Sequence, residues 1–167
     1  GKWCRPNYNS VVATFCYNTA HDLPLPISDP AKELDLIYVD DVIAHFAEEL
    51  AAGTPPGVAY REVTPAYHIN LGRLAELIQA FRQMRQTLYV PNLAAELTRK
   101  LYGTYLTYLE SDDFAYALEK KCDPRGCLAE FVKATAFGQL FISRTAPGVT
   151  RGNHYHTRKF ERFCVLQ

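Results

Sequence analysis

Apolar residues recur three to four positions apart in four separate stretches of the first two thirds of the chain. That spacing places them on one face of a helix, so each stretch is predicted to be helical. The four predicted helices lie within residues 9–22, 41–53, 70–86 and 92–109. Polar residues fill the intervening positions, which indicates helices that each bury one face against a core.

Capping residues mark where these helices begin and end. Asn9 or Ser10 is available to cap the first helix, since short polar side chains accept hydrogen bonds from free backbone N–H groups. Asp40 and Asn70 precede the second and third helices, and Gly53 is placed to end the second. The second helix is predicted to bury an apolar stripe that consists of Val42, Ile43, Phe46, Ala47 and Leu50.

The pattern changes after about residue 110 to short runs rich in β-branched and aromatic residues. Three runs, at residues 127–133, 138–145 and 161–166, are separated by glycine and proline turns. Such short runs between turn residues are typical of antiparallel strands.

The segments between the helices complete the prediction. A short strand is predicted within residues 34–41, a turn at residues 54–57, and either a strand or a loop at residues 58–65. The fold class is therefore predicted as α+β. The domain boundary is placed so that residues 1–108 form a helix-rich unit and residues 109–167 an antiparallel β unit.

The composition is ordinary for a globular protein, with 167 residues of which 48% are apolar and 22% charged. Eighteen basic residues balance eighteen acidic ones, which argues against a nucleic-acid partner. No apolar run approaches the roughly 20 residues needed to cross a bilayer, so a membrane protein is not expected. Five cysteines, an odd number in a chain of this length, favour reduced thiols in a cytoplasmic protein.

A His-x-His pair near the end of the chain is the main candidate for a metal site. On a strand, residues two apart point to the same face, so His154 and His156 would project together. Glu161 would return toward them from the next strand. Two imidazoles and a carboxylate suit a first-row divalent metal, with zinc as the expected ion. The alternative is an exposed strand followed by an isolated glutamate.

The spacing of these residues resembles a known metal motif. From Gly148 to Glu161 the chain reads Gly-x5-His-x-His-x4-Glu, which resembles the first metal motif of the cupin superfamily. The resemblance implies an antiparallel β-barrel whose remaining metal ligand comes from a later strand.

The opening loop, GKWCRPNYNS, carries groups that recognise phosphate and sugar. The guanidinium of Arg5 matches phosphate oxygens, and the ring of Tyr8 can stack or hydrogen-bond. Asn7 and Asn9 offer amides to hydroxyl or phosphate oxygens. The alternative is a turn whose asparagine side chains satisfy the backbone and cap the next helix.

A second candidate segment, DPRGCLAEF, opens the β-rich part of the chain. It resembles the segment that opens the cupins that act as sugar-nucleotide 3- or 3,5-epimerases. That resemblance implies that Arg125 holds a phosphate and Glu130 contacts the sugar. DPRG is also an ordinary turn sequence, so we predict a turn with a substrate contact beside it.

The order of the motifs resembles one enzyme architecture along essentially the whole chain. The opening loop followed by LDLIYVDDV resembles the C-terminal, substrate-binding part of an extended short-chain dehydrogenase/reductase. A reductase part followed by a cupin resembles the bifunctional enzymes of capsular polysaccharide synthesis that make the precursor of N-acetyl-L-fucosamine. Leu34 stands where many such reductases carry a phosphate-binding arginine, which leaves that contact to Arg5, or to Arg82 and Arg85.

The resemblance implies an enzyme that epimerises C3 of a UDP-linked 4-keto-6-deoxy-N-acetylhexosamine and reduces its C4 keto group with NADPH. The first residue is Gly1 and the only methionine is Met84, so we expect an internal fragment whose NADPH site lies upstream and which alone is inactive as a reductase. No catalytic residue stands out, and a homodimer is expected because cupins usually pair. Two alternatives remain: a non-catalytic scaffold or dimerisation module with an incomplete metal site, and a stand-alone metal-dependent sugar isomerase.

Overall fold

The computed structural model describes residues 1–53 and 57–166 and contains, in these ranges, four helices and five strands. The helices are α1 (Val11–Ala20), α2 (Val39–Ala52), α3 (Leu71–Thr87) and α4 (Glu96–Leu106). The strands are β1 (Glu33–Leu36), β2 (Tyr67–Asn70), β3 (Lys120–Asp123), β4 (Gly126–Ala134) and β5 (Gly138–Thr145). The predicted mixture of helices and antiparallel strands is confirmed. None of the helices in the described ranges is long and apolar enough to cross a membrane.

Side-chain caps begin two of the helices. The Ser10 hydroxyl accepts a hydrogen bond from the backbone N–H of Ala13 at 3.2 Å, so Ser10 and not Asn9 caps α1. Asn70 caps α3 as predicted, since its side-chain oxygen accepts from the N–H of Arg73 at 2.8 Å. Helix α3 ends at Leu88, which adopts a left-handed conformation with φ of 62°.

Helices α1, α3 and α4 pack against one another and form the hydrophobic core of the described chain. Phe81 of α3 lies at its centre, with its ring 5.2 Å from that of Tyr102 and 5.7 Å from that of Tyr105. Aromatic pairs at this separation stabilise a core beyond the area they bury. The fully buried side chains that share this core are Phe15, Cys16, Leu74, Ile78, Phe81 and Tyr105.

Strands β1 and β2 form a two-stranded antiparallel sheet beside this core. Leu34 pairs with Ile69, and both turn toward the helices because side chains alternate between the faces of a strand. Leu34 is therefore a packing residue, and the predicted strand at residues 34–41 is confirmed for its first residues.

Helix α2 departs from the prediction. None of its residues is buried, and Ile43, Phe46 and Leu50 of the predicted buried stripe are 58%, 63% and 82% exposed. The apolar spacing predicted a helix correctly, but it does not say which element covers the apolar face.

Asp40 is not the N-cap of α2. The helix begins after Tyr38, and Asp40 lies in its first turn, where a carboxylate interacts favourably with the helix dipole.

The second sheet has the order β3-β4-β5, with both pairs antiparallel. Two of the three predicted strands, at residues 127–133 and 138–145, correspond to β4 and β5 and are confirmed. A register shift between Glu130 and Val132 marks a bulge in β4. A bulge places one extra residue between two ladder pairs and changes which side chains share a face.

The third predicted strand, at residues 161–166, is wrong for this structure. Residues 146–166 contain no helix or strand, and almost all of them are exposed. A strand needs a neighbour to accept its backbone hydrogen bonds, and none of the described strands pairs with residues 161–166. Residues 58–65 form a loop, and the predicted turn at residues 54–57 falls largely outside the described residues.

Backbone and side-chain contacts join the second sheet and the preceding linker to α3. The N–H of Lys133 donates to the carbonyl of Leu88 at 2.8 Å, and the N–H of Val90 donates back to the carbonyl of Lys133 at 2.9 Å. These two bonds attach β4 to the residues that follow α3. The predicted boundary between residues 108 and 109 stays a prediction.

An ion-pair cluster fixes the linker against the helices. Arg82 binds Asp22 through two hydrogen bonds, at 2.7 and 3.1 Å, and Asp113 at 2.6 Å. Arg85 donates to the other carboxylate oxygen of Asp113 at 2.5 Å. Both guanidinium groups are thus paired with carboxylates and hold the linker, and the phosphate contact considered for them stays a prediction.

The cysteines are only partly as predicted. Cys122 and Cys127 are joined by a disulfide, whereas Cys4, Cys16 and Cys164 are free thiols. The prediction of reduced thiols is therefore wrong for one pair. Spacing alone gave no reason to pair them, but the hairpin register places Cys122 directly opposite Cys127.

Candidate functional site

The three predicted metal ligands lie in the irregular segment that follows β5. The rings of His154 and His156 are 4.8 Å apart between centroids, and Nε2 of His156 lies 3.2 Å from Oε1 of Glu161. His156 therefore contacts both of the other two residues. His154 and Glu161 are thus each a neighbour of His156, whereas the motif implies three ligands around one ion.

The geometry that was predicted for this site is not the one observed. Residues 150–156 are not a strand, and Gly152 and Asn153 have positive φ values of 102° and 61°. In the ranges that the structure describes, no three metal-binding side chains converge on one point. Alternation along a strand is therefore not what brings His154 and His156 together.

The donor set itself fits a divalent metal. Neutral imidazole nitrogens and a carboxylate oxygen are the ligands that zinc takes in catalytic and structural sites.

Arg125 lies in a tight turn between β3 and β4, as the DPRG sequence predicts. Oδ1 of Asp123 accepts from the backbone N–H of Arg125 at 2.8 Å, and Oδ2 accepts from its guanidinium at 2.6 and 3.0 Å. The guanidinium lowers the pKa of the Asp123 carboxyl, and the carboxylate raises the pKa of Arg125. Asp123 therefore occupies one edge of the exposed guanidinium and leaves its other N–H groups open to solvent.

Glu130 points toward a cavity between the helical part and the second sheet. Its carboxylate lies 2.7 Å from Nζ of Lys133, an ion pair three residues apart that the bulge in β4 permits. The Lys133 ammonium lowers the pKa of Glu130. The sequence prediction of Glu130 as a candidate site residue did not include Lys133, because a regular strand places residues three apart on opposite faces.

The cavity beside Glu130 has a volume of about 320 Å³. Basic, acidic and apolar groups contribute to its wall, which suits a polar ligand with an apolar part. It is lined by Arg85, Gln86, Leu88, Ala117, Leu118, Glu119, Lys121 and Glu130.

The opening loop lies on a different element, before α1. The guanidinium of Arg5 lies 5.5 Å from the centre of the Tyr8 ring, which is a cation–π distance. Asn7 has a positive φ of 55°, and its backbone N–H donates to the hydroxyl of Thr14 at 2.9 Å. Arg5, Asn7, Tyr8 and Asn9 are all exposed, so the loop presents them together to solvent.

A cluster around Lys100 was not found from the sequence. Nζ of Lys100 lies 2.6 Å from a carboxylate oxygen of Asp41 and 2.8 Å from one of Glu96, and it donates to the Tyr67 hydroxyl at 2.8 Å. Burial lowers the pKa of Lys100, but hydrogen bonds to the two carboxylates outweigh burial and raise it. The i,i+4 spacing of Glu96 and Lys100 signalled one pair, whereas Asp41 and Tyr67 come from distant segments.

The sequence of the chain matches one known protein family and one characterised relative. Residues 121–167 match a protein family described as the polysaccharide biosynthesis C-terminal domain. The chain is 42% identical over 167 residues to UDP-2-acetamido-2,6-beta-L-arabino-hexul-4-ose reductase of Pseudomonas aeruginosa, and the match covers 100% of this chain and 45% of that protein.

The fold of the chain is also similar to solved structures of a capsular polysaccharide assembling protein. The capsular polysaccharide assembling protein CapF of Staphylococcus aureus is similar with a TM-score of 0.83 and 39% identity, over 93% of this chain and 46% of that one. CapF with the inhibitor 3-isopropenyl-tropolone is similar with a TM-score of 0.81 and 40% identity, over 93% of this chain and 45% of that one. The chain thus spans about half the length of these relatives. The polysaccharide biosynthesis C-terminal domain is therefore present at residues 121–167, and the chain as a whole is a homologue, over about half their length, of this sugar-nucleotide reductase and of CapF.

Proposed function

We propose that this chain is part of a longer enzyme that acts on a UDP-linked sugar in the synthesis of capsular polysaccharide precursors. The observation that carries the proposal is the 42% identity to a sugar-nucleotide reductase along the whole of this chain. The fold agrees, since the similarity to CapF extends over 93% of the chain and includes both the helical part and the second sheet.

The proposed reactions are epimerisation at C3 of a UDP-4-keto-6-deoxy-N-acetylhexosamine and reduction of its C4 keto group by NADPH. A ketone acidifies the neighbouring C–H, so a base can remove the C3 proton and return it on the opposite face. The nicotinamide cofactor would be held by residues outside this chain. We assign no catalytic base within the described residues.

The proposed substrate contacts form two groups. Arg5 and Tyr8 in the opening loop, flanked by the amides of Asn7 and Asn9, offer a cation and an exposed ring to a nucleotide diphosphate. Glu130 lines the cavity of about 320 Å³, which is large enough for part of a sugar nucleotide, and Arg125 lies in the turn that opens the same strand.

A divalent metal, zinc by its donor set, is proposed to be held by His154, His156 and Glu161. The contact of His156 with both other side chains supports this assignment. Such an ion would polarise a carbonyl oxygen or hold the surrounding segments together.

The metal proposal is tested by His154→Ala in the full-length protein. We expect the zinc content, measured by mass spectrometry after gel filtration, to fall to background, because one of three ligands is lost. His68→Ala is the matched control, since His68 is an exposed histidine that binds Asp35 on the small sheet. Equal zinc content in both variants would disprove the assignment.

The epimerase proposal is tested by solvent exchange. Full-length protein is incubated in D₂O with the 4-keto sugar nucleotide and without NADPH, and deuterium at C3 is measured by NMR. We expect enzyme-dependent incorporation at C3. Reduction at C4 without any exchange at C3 would contradict the epimerase step while leaving the reductase step in place.

A second candidate function is a non-catalytic dimerisation module. Strand β5 supports it, since all eight of its residues are exposed and, in the described residues, its outer edge pairs with no other strand. An open edge of this kind recruits a strand from another chain. Analytical ultracentrifugation measures whether the protein dimerises, and the exchange and reduction assays measure whether it is an enzyme. A dimer that shows neither activity favours the dimerisation module.

A further inference from the structure

Cys122 and Cys127 occupy a position that favours reversible oxidation. They are cross-strand partners at the ends of β3 and β4, with Cα atoms 4.1 Å apart and a disulfide between them. Four residues separate them, and the Asp123–Arg125 hydrogen bonds already hold that turn. The two sulfurs are therefore neighbours whether or not they are bonded, since backbone and side-chain hydrogen bonds set the register.

The surroundings favour a reactive thiolate. Cys122 is exposed, so a soluble reagent reaches its sulfur directly. Arg144 on β5 is the cross-strand partner of Cys127, and cross-strand partners point to the same face at about 5 Å between Cβ atoms. The Arg144 side chain thus shares a face with Cys127, and a cation close to a cysteine favours its thiolate over its thiol. The carboxylate of Asp123, the residue after Cys122, is paired with Arg125.

The other thiols of the described chain lack these features. Cys16 is fully buried, and burial raises the pKa of its thiol to about 12. Cys4 is half-buried and Cys164 exposed, and each is a free thiol. Cys164 is therefore the control, because it is an exposed thiol that forms no disulfide.

The bond has a structural consequence beyond the hairpin. Strand β3 has four residues, all exposed, and pairs only with β4 among the described strands. Its Lys121, together with residues 117–119 just before it, forms one wall of the cavity of about 320 Å³, and Glu130 of β4 belongs to the same cavity. A crosslink between β3 and β4 thus fixes that wall, whereas a short exposed edge strand without it frays.

We propose that Cys122 and Cys127 are a redox modification site that takes a low-molecular-weight disulfide as oxidant and, on oxidation, fixes the β3 wall of the cavity. The Cys122 thiolate attacks one sulfur of the oxidant and releases one thiol. The Cys127 thiolate then attacks the Cys122 sulfur and releases the second. Two protein thiols lose two electrons and two protons, and one oxidant disulfide becomes two thiols. This site goes beyond the proposed sugar-nucleotide chemistry and does not depend on it.

The redox site is tested by equilibrating the protein with glutathione buffers from fully reduced to fully oxidised, followed by alkylation and peptide mass spectrometry. We expect Cys122 and Cys127 to lose alkylation together at one ratio, while Cys164 stays alkylated or carries glutathione. Stable alkylation of Cys122 at every ratio would overturn the proposal, and so would a glutathione adduct that never resolves to the internal disulfide.

Hydrogen exchange tests the consequence for the cavity wall. Amides of residues 118–123 are expected to exchange about tenfold more slowly in the oxidised protein than in the reduced one, because a crosslink limits local opening. Cys122→Ser should exchange like the reduced protein under oxidising conditions, and Cys164→Ser like the wild type. Equal exchange in both redox states of the wild type would remove the proposed link between the bond and the cavity.

Discussion

At the scale of single residues, Asp113 holds the linker after α4 against the helices. One carboxylate oxygen accepts from Arg82 at 2.6 Å and the other from Arg85 at 2.5 Å. Hydrogen bonds from Arg85 and then from Arg82 lower the pKa of Asp113 below its ordinary value of 3.8. Removal of this carboxylate leaves Arg85, the more buried of the two guanidinium groups, without a carboxylate partner, whereas Arg82 keeps Asp22.

Asp113→Asn is expected to lower the melting temperature at pH 7, because the paired charge is lost. The folded-state pKa lies below the unfolded one, so the contribution of the carboxylate to stability is present above about pH 4 and is lost as the pH falls through the folded value. The difference in melting temperature between wild type and variant should therefore shrink from pH 7 toward pH 3, as measured by circular dichroism. Asp112→Asn, one position earlier in the chain, is the control for the loss of a carboxylate at this part of the linker. An unchanged difference at pH 3 would contradict this role.

At the scale of elements, α2 and α3 show what an apolar stripe can and cannot predict. Both helices were predicted from the same spacing, yet α3 buries Leu74, Ile78 and Phe81, whereas α2 exposes Phe46 and Leu50. Most of the stripe of α2 is therefore an exposed apolar surface among the described residues. Spacing determines which side chains share a face, and only tertiary contacts decide whether that face is inside.

Leu74→Ala and Leu50→Ala are therefore expected to differ widely in stability. Leu74 is fully buried, so its truncation should reduce the free energy of unfolding by about 2–5 kcal/mol. Leu50 is 82% exposed, so its truncation should change that free energy by no more than about 0.5 kcal/mol. Urea denaturation of the two variants measures both values. A large loss for Leu50→Ala would mean that another segment covers α2 in solution.

The hairpin of β3 and β4 depends on Gly126. This residue has a φ of 131°, and a Cβ there would lie 1.9 Å from the carbonyl oxygen of Arg144 on β5. Gly138 also has a positive φ, of 95°, but a Cβ there would meet no atom within 4 Å.

A comparison of Gly126→Ala with Gly138→Ala separates the steric clash with Arg144 from the conformational cost of a positive φ. Both variants bear a conformational cost of about 1–3 kcal/mol for positive φ, and only Gly126→Ala also has to displace β5. We expect Gly126→Ala to accelerate hydrogen exchange in β4 and β5 much more than Gly138→Ala does. Equal effects of the two changes would show that Arg144 moves aside without cost.

At the scale of the whole molecule, the sequence predicted the order of the elements better than their packing. Four helices, the strand beginning at Leu34 and two strands of the second sheet were confirmed, because each is encoded by local spacing and turn residues. The strand at residues 161–166 was wrong because pairing is not local. The Cys122–Cys127 bond was missed for the same reason, since it depends on the register of a hairpin.

In the candidate site, too, local features could be predicted from the sequence and non-local contacts could not. The three residues named by the motif spacing lie near one another, with His156 in contact with His154 and Glu161, but on irregular backbone and without converging on one point, and their role as metal ligands stays a prediction. The partners of Arg125 and Glu130 were not predicted, since Asp123 and Lys133 meet them through a turn and a bulge. The Lys100 cluster joins three segments that are distant in sequence, and no local pattern signals such a site.

The hydrophobic core is confined to one part of the chain. Every fully buried apolar residue of the described chain lies between Ala13 and Tyr105, and the side chains packed around this cluster end at Leu109. The second sheet contributes no fully buried side chain. The stability of the described chain therefore comes mainly from residues before the linker.

A chain of residues 1–113 is accordingly expected to unfold cooperatively on heating, with a helical circular dichroism spectrum. It keeps the core and both arginine partners of Asp113, and it loses the backbone bonds of Leu88 and Val90 to Lys133. A chain that ends at residue 108 keeps the core but lacks Asp113, so it should melt at a lower temperature. Residues 114–167 alone should show no cooperative transition, since exposed strands without a core do not fold independently. Cooperative melting of that second piece, or none in residues 1–113, would show that the two parts of the chain stabilise each other.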